Sequence, residues 1–131
     1  MNVLDENVLE SQRQLLRSWR IPVRQIGVEL GRKGMADEEI LPFLLTLSNP
    51  TFFTRDLGFA NAEFCNERRC LVILAVGQYE VAHFVRQLLR HPAFNTQAKR
   101  MGAVIRSSST GLAVSRSHAK EEAQVPWPSS Y

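Results

Sequence analysis

The run CLVILAV, residues 70–76, decides the fold class because it is apolar throughout. A strand with one solvated face alternates polar and apolar residues, whereas a strand without alternation is buried on both faces, as in parallel sheets. Gly77 interrupts the run, and residues 80–90 then predict a helix with one apolar face. A buried strand followed by an amphipathic helix indicates an α/β domain with a mainly parallel sheet.

Upstream of this run, strand patterns alternate with helix patterns. The predicted strands are residues 2–4, 23–28 and 51–54, and the predicted helices are residues 9–19, 37–47 and a short one at 61–66. This alternation is typical of a parallel sheet whose strands are joined by helices. The alternation therefore predicts an α/β domain with a parallel sheet.

Downstream of the run, the pattern changes from helix to hairpin and then to a polar segment. Asn95 is predicted to cap a short turn or helix that ends at Gly102, and residues 103–106 and 112–115 predict a hairpin. Residues 117–131 are polar, contain two prolines and show no periodicity. We predict a domain over residues 1–116 and a flexible C-terminal tail over 117–131, with Trp127 either loose or docked on a partner or twin subunit.

Size and composition are those of one soluble domain. The chain has 131 residues, of which 44% are hydrophobic and 22% charged, and a net charge of +3. No apolar run approaches the ~20 residues that a membrane span needs, and the acidic start does not resemble a secretion signal, so a cytoplasmic protein is expected. Most of the basic residues are arginines, which suit phosphate contacts, although solvated surface arginine explains the charge equally well.

The cysteines and histidines give no recognisable site. Cys65 and Cys70 lack the spacing of a metal or redox pair and are expected to be free thiols. His83, His91 and His118 have no nucleophile or ligand set nearby in the sequence, so we expect surface or packed histidines.

The three aspartates of the chain carry the strongest functional signal. Asp5 follows the first strand, Asp37 opens the helix after the second, and Asp56 follows the third. Ligands of open α/β sheets bind outside the carboxyl ends of the strands, so all three acids could converge there. Taken singly, Asp37 could be a helix cap and Asp56 a turn former.

Converging carboxylates suit a hard divalent cation. Mg²⁺ and Mn²⁺ prefer oxygen ligands, and either ion can acidify water and offset the charge of a phosphate group. Hydrolysis of a phosphodiester uses both effects, and the basic surface could hold a nucleic-acid backbone.

Three short motifs resemble the small PIN-like proteins of bacteria and archaea. They are V-L-D-E-N-V at residues 3–8, G-M-A-D-E-E-I-L at 34–41 and T-R-D-L-G-F at 54–59. These proteins are relatives of the PIN-domain ribonucleases, which include the toxins of VapBC-type toxin–antitoxin pairs. Over residues 1–116 the resemblance implies a three-layer α/β/α domain whose acidic pocket binds Mg²⁺ or Mn²⁺ and cleaves RNA.

The resemblance also implies roles for individual residues. Asp5, Asp37 and Asp56 would be the catalytic metal ligands, with Glu6 and Glu38 as supporting neighbours. Thr54 would orient Asp56 through its hydroxyl, and Arg55 would contact RNA. The family often has a second acid where this chain has Gly58, and Asn61 or a water could supply the missing oxygen.

Partners and alternatives follow from the same resemblance. RNA and a small antitoxin protein are the expected partners, and a homodimer is the commonest soluble oligomer. The main alternative is a non-catalytic PIN-like interaction protein, because a fold does not determine a function. A receiver-like phosphotransfer domain is disfavoured because such a domain needs a lysine after a later strand, and the stretch CLVILAVGQYE, residues 70–80, contains none.

Overall fold

The computed structural model describes residues 1–129, and these residues form a seven-stranded sheet with four α-helices. The strands are β1 (Asn2–Leu4), β2 (Arg24–Gln25), β3 (Thr51–Thr54), β4 (Cys70–Leu74), β5 (Ala103–Ser108), β6 (Gly111–Arg116) and β7 (Ala123–Val125). The helices are α1 (Glu10–Ser18), α2 (Asp37–Leu44), α3 (Val81–Arg90) and α4 (Gln97–Arg100), and two short 3₁₀ turns cover Leu57–Phe59 and Ala62–Phe64.

The strand order is β2-β1-β3-β4-β5-β6-β7. The first five of these positions pair in parallel, and β6 and β7 add an antiparallel extension. The chain places β2 on one side of β1 and β3 on the other, so the order reverses between β1 and β3. A crevice forms at such a reversal, outside the carboxyl ends of the two strands.

The two faces of the sheet pack against different helices. Leu4, Phe53 and Val72 belong to a core cluster that includes residues of α1 and α3. Their neighbours along the strands, such as Val3 and Phe52, belong to a second cluster that includes residues of α2. Successive strand residues point to opposite faces, so the apolar run of β4 is buried on both sides. The predicted α/β class with a mainly parallel sheet is confirmed.

The second strand is shorter than the predicted residues 23–28. The backbone carbonyl of Gln25 accepts hydrogen bonds from the amides of Val28, Glu29 and Leu30, which closes a turn. Gly27 enters this turn with φ of +86°, a conformation that favours glycine. This turn therefore ends the strand at Gln25, although the β-branched residues that predicted it continue to Val28.

The prediction of a flexible C-terminal tail is wrong for residues 123–127. Strand β7 pairs with β6, and the indole N–H of Trp127 donates to the Ser108 carbonyl at 2.7 Å. The Trp127 ring lies against Phe84 and His91, and the buried imidazole of His91 contacts the Pro126 carbonyl at 3.0 Å. A three-residue strand carries too little pattern to be seen in sequence, because main-chain pairing with β6 defines it.

Among the smaller predictions, one is confirmed and another is wrong. Cys65 and Cys70 are free, as expected, and burial raises the pKa of the Cys70 thiol to about 12. Helix α4 is capped by Thr96, whose hydroxyl accepts from the Lys99 amide, and not by the predicted Asn95. Within residues 1–129, no helix combines the length and apolarity that a membrane span requires.

Candidate active site at the carboxyl edge of the sheet

Asp5 lies at the reversal of strand order, where the ladder between β1 and β3 ends. Its backbone amide donates to the Phe53 carbonyl at 3.0 Å, which extends the pairing by one residue beyond β1. The side chain is only 8% exposed. A carboxylate so placed needs hydrogen-bond donors, because burial of an unpaired charge is strongly unfavourable.

Thr54 supplies one of these donors. Its hydroxyl donates to Oδ2 of Asp5 at 2.6 Å and accepts from the backbone amide of Asp56 at 3.0 Å. The sequence predicts that Thr54 supports Asp56. In the structure it holds the backbone of Asp56, and the carboxylate that it contacts is Asp5.

Asp56 is exposed and caps the 3₁₀ turn that follows β3. Its Oδ1 accepts from the Gly58 amide at 2.9 Å. A Cβ at Gly58 would lie 3.1 Å from the same oxygen, closer than most such contacts. The glycine at this position therefore allows the turn to close tightly around Asp56.

Asp37 is the first residue of α2, and it meets Asp56 across the crevice. Desolvation is the largest cause that raises the pKa of Asp37, and the proximity of the Asp56 carboxyl and the charges of Asp56, Asp5 and Glu38 raise it further. Protonated Asp37 can donate to the Asp56 carboxylate, which removes one of two repelling charges. The acids at the ends of β1 and β3 and at the start of α2 thus form one interacting group.

The pKa of Asp5 is raised in the same direction as that of Asp37. Burial raises its pKa, and the charge of Asp56 adds to this. Hydrogen bonds from the Thr54 hydroxyl and from the amides of Glu6 and Asn7 oppose the increase because they favour the charged form. Asp5 is therefore the anchored acid of the three, whereas Asp37 and Asp56 face solvent.

The three acids are chemically suited to bind a divalent cation, but they are not arranged as a preformed binding site. All are oxygen donors of the kind that Mg²⁺ and Mn²⁺ prefer, and a cation would relieve the repulsion that raises the pKa of Asp37. Within residues 1–129, however, no three Asp, Glu, His or Cys side chains already converge as a ligand set.

The residues predicted to support the metal ligands make other contacts in the structure. Oε1 of Glu6 accepts from the Gly34 amide at 2.9 Å, so Glu6 fastens the loop that precedes α2. Oδ1 of Asn61 accepts from the Glu63 amide at 2.9 Å as the cap of the second 3₁₀ turn. Glu38 is exposed, and its negative charge acts on Asp37. The geometry gives no support to Asn61 as the substitute for a fourth acid.

Arg55 lies beside the acids, as its place in the sequence predicts. It lines a cavity of about 280 Å³ together with Asp5, Asn7, Val8 and Asp56. Its Nε donates to the Val76 carbonyl at 2.9 Å, which holds the guanidinium between β3 and β4. Asn7 stands inside the motif V-L-D-E-N-V, but the sequence predicts no role for it. Its backbone amide helps to lower the pKa of Asp5, and the residue lines the cavity.

Comparison with known proteins gives no family. No protein-family model, curated protein or solved structure matches the chain significantly. The resemblance to PIN-like proteins therefore rests on the three short motifs and stays a prediction.

Proposed function

We propose that this protein is a metal-dependent ribonuclease that hydrolyses phosphodiester bonds at the crevice between β1 and β3. The observation that carries the proposal is the grouping of Asp5, Asp37 and Asp56 at one sheet edge, where desolvation first, and then the neighbouring acids, raise the pKa of Asp37. Acids grouped at a strand-order reversal are unfavourable for stability alone, and such perturbed groups are typical of functional sites.

Each residue has a role that follows from its surroundings. Asp5, Asp37 and Asp56 are the residues that would hold Mg²⁺ or Mn²⁺, and such an ion would acidify a water and offset the charge of the phosphodiester. Asp37 and Asp56 are exposed and can coordinate a hydrated ion without leaving their elements. The carboxylate of Asp5 is held in place by the Thr54 hydroxyl, so it provides a fixed oxygen ligand next to these two acids.

Arg55 is the residue that would bind the substrate backbone. Within residues 1–129, the only hydrogen bond of its side chain is the one from Nε to Val76. Its terminal amino groups can therefore donate to phosphate oxygens at the rim of the acidic cavity. This places a cation next to the acids, where a polyanion would otherwise be repelled.

The PIN-like family extends this proposal. Helix residues packed on both faces of the sheet support a three-layer α/β/α arrangement. In this family an RNA substrate, a cytoplasmic location and a small antitoxin that covers the acidic crevice are expected. We include these, and a homodimer, in the proposal on the strength of the three motifs.

Cleavage of RNA in the presence of Mn²⁺ tests the proposal. We expect Asp5→Asn and Asp56→Asn to lower the rate by on the order of a hundredfold, the usual effect of removing one preorganised charge from an active site. Glu63→Gln, which removes an exposed acid from the turn after the site, should cleave at the wild-type rate. Thermal unfolding of all four proteins checks that the variants are folded.

Two outcomes would contradict the assignment. One is equal cleavage by the wild type and by Asp5→Asn, which would indicate a contaminating nuclease. The other is absence of cleavage of any RNA tested while Mn²⁺ binds to the acids, which would leave a metal site without hydrolytic function.

A non-catalytic interaction protein is the second candidate. Three points favour it: Gly58 stands where PIN-like proteins often have an acid, Asn61 is occupied as a cap, and residues 1–129 contain no ready three-ligand group. Calorimetric titration with Mg²⁺ and Mn²⁺ distinguishes the two candidates. Heat of binding that disappears in Asp56→Asn supports the enzyme, and no heat at millimolar metal supports the interaction protein.

A further inference from the structure

A second cavity lies at the opposite edge of the sheet, where the strands begin. Its volume is about 450 Å³, and its walls come from β1, α1, the segment leading into β2, and α4. Asn2, the first residue of β1, and Arg24, the first residue of β2, lie in this wall. No lining residue is acidic, whereas three are arginines: Arg17, Arg24 and Arg100.

Arg100 is the unusual member of this group. The residue is only 6% exposed, yet no carboxylate within residues 1–129 lies within 4.0 Å of its guanidinium. Nε donates to the Thr51 hydroxyl at 3.0 Å and Nη1 to the Phe94 carbonyl at 2.8 Å. Burial lowers its pKa. A buried guanidinium with neutral partners alone is costly, and an anion would offset that cost.

The other two arginines leave most of their charge available. Arg24 is exposed and makes no ion pair within the described part of the chain. Arg17 has one acidic neighbour, with its Nη2 lying 3.4 Å from Oε1 of Glu29. Glu29 is held more closely by Arg13, at 2.6 Å, so it neutralises Arg17 only in part. The cavity is therefore net positive.

We propose that this cavity binds the phosphate group of a small phosphorylated molecule of nucleoside-monophosphate size. A guanidinium donates in a planar fork that matches phosphate oxygens. A phosphomonoester presents three terminal oxygens to three arginines. An internal RNA phosphodiester presents two, and its chain must leave in both directions, which a cavity that ends on a buried arginine does not favour.

The rest of the cavity suits the remainder of such a ligand. Pro22 and Val23 form an apolar part of the wall, and Asn2 and Gln97 provide amide groups. The volume lies in the range of pockets that hold small molecules, roughly 300–1,000 Å³. The site is independent of the acidic crevice, which opens at the other ends of the same strands.

Binding is tested on the full chain by calorimetry with adenosine 5′-monophosphate, inorganic phosphate and adenosine, all in EDTA. Chelation removes divalent cations and so keeps the acids from binding the nucleotide through a metal. We expect the monophosphate to bind, inorganic phosphate to bind more weakly because it leaves the apolar wall empty, and adenosine not to bind. Equal affinity of the two phosphates would identify free phosphate as the ligand and retain the site.

Matched variants locate the binding. Arg24→Gln changes an exposed side chain and should weaken binding about tenfold, the usual effect of losing one charged hydrogen bond. Arg106→Gln removes an exposed arginine from β5, which β3 and β4 separate from β1, and should bind like the wild type. Asp56→Asn should also bind like the wild type, because the acidic crevice takes no part.

Three results would overturn the proposal. They are absence of binding by both phosphates, unchanged affinity in Arg24→Gln, and equal weakening in Arg106→Gln, which would indicate attraction by the overall charge. A fourth, tighter binding of a 5′-phosphorylated RNA oligonucleotide to the same arginines, would replace the small molecule by RNA.

Discussion

The two edges of the sheet hold buried groups of opposite charge, and each of these groups is hydrogen-bonded by a threonine of the same strand. Strand β3 reads TFFT, and its end residues, Thr51 and Thr54, are both fully buried. At the amino edge the Thr51 hydroxyl accepts from Arg100, and at the carboxyl edge the Thr54 hydroxyl donates to Asp5. A hydroxyl is both donor and acceptor, so one residue type can stabilise a buried cation and a buried anion.

The edges differ in how completely their charges are satisfied. The carboxylate of Asp5 accepts a hydrogen bond from the Thr54 hydroxyl, and the nearby backbone amides of Glu6 and Asn7 also lower its pKa. Arg100 has two neutral acceptors and opens on a cavity whose other charges are also positive. The acidic edge is therefore supported internally by its threonine, whereas at the basic edge Arg100 has no charged partner within residues 1–129.

Valine substitution of the two threonines is the strongest way to break this comparison. Thr54→Val removes the hydroxyl from a buried carboxylate and from the Asp56 amide, and should lower the free energy of unfolding by about 2 kcal/mol at pH 7. Thr51→Val should cost only about 1 kcal/mol, because Arg100 retains the Phe94 carbonyl and access to water in the cavity.

Urea denaturation of the two variants provides the measurement. Valine has nearly the shape of threonine, so differences in packing are small. A cost for Thr51→Val that equals or exceeds the cost for Thr54→Val would show that the basic edge depends as much on internal bonds as the acidic edge.

The pH dependence of the free energy of unfolding tests the repulsion among the acids at the carboxyl edge, and the expected effect is smaller. The folded-state pKa of Asp37 is raised above the ordinary value of 3.8, so the native state binds more protons than the unfolded state in the window just above 3.8. The free energy of unfolding should therefore fall as the pH rises through this window. Asp37→Asn should be more stable than the wild type at pH 7, by less than about 1 kcal/mol because the residue is exposed.

An oppositely perturbed acid in the same helix serves as control. A hydrogen bond from Arg32, and another from the Ala36 amide, lower the pKa of Glu39 below the ordinary 4.5. Its contribution is present above pH 4.5 and is lost as the pH falls, so Glu39→Gln should be less stable at pH 7 and equal to the wild type in acid. Denaturation between pH 3 and pH 7 measures both variants, and a common sign would contradict the repulsion among the three acids.

The acidic edge could be predicted from the sequence because its residues stand next to the elements that position them. Asp5 and Asp56 follow directly on apolar strands, and Asp37 opens a helix. The partner of Thr54 could not be predicted, since its hydroxyl could have bonded either acid. The register that pairs Leu4 with Phe53 brings Thr54 beside Asp5, and register is a property of the assembled sheet.

The basic edge could not be predicted, because its residues come from distant parts of the chain. Arg17, Arg24 and Arg100 lie in α1, β2 and α4, and each alone resembles an ordinary surface arginine. Only tertiary packing buries Arg100. Strand β7 was missed for the same reason, because its hydrogen bonds to β6 define it and not its side-chain pattern.

The four residues of β3 also restrict how this protein can change in evolution. Thr51 shares a face of the sheet with Phe53, and Thr54 shares the opposite face with Phe52, because side chains alternate along a strand. Insertion or deletion of a single residue would turn one threonine to the wrong face and leave either Arg100 or Asp5 without its partner. Homologues that retain both sites should therefore vary in their loops while the length of this strand stays constant.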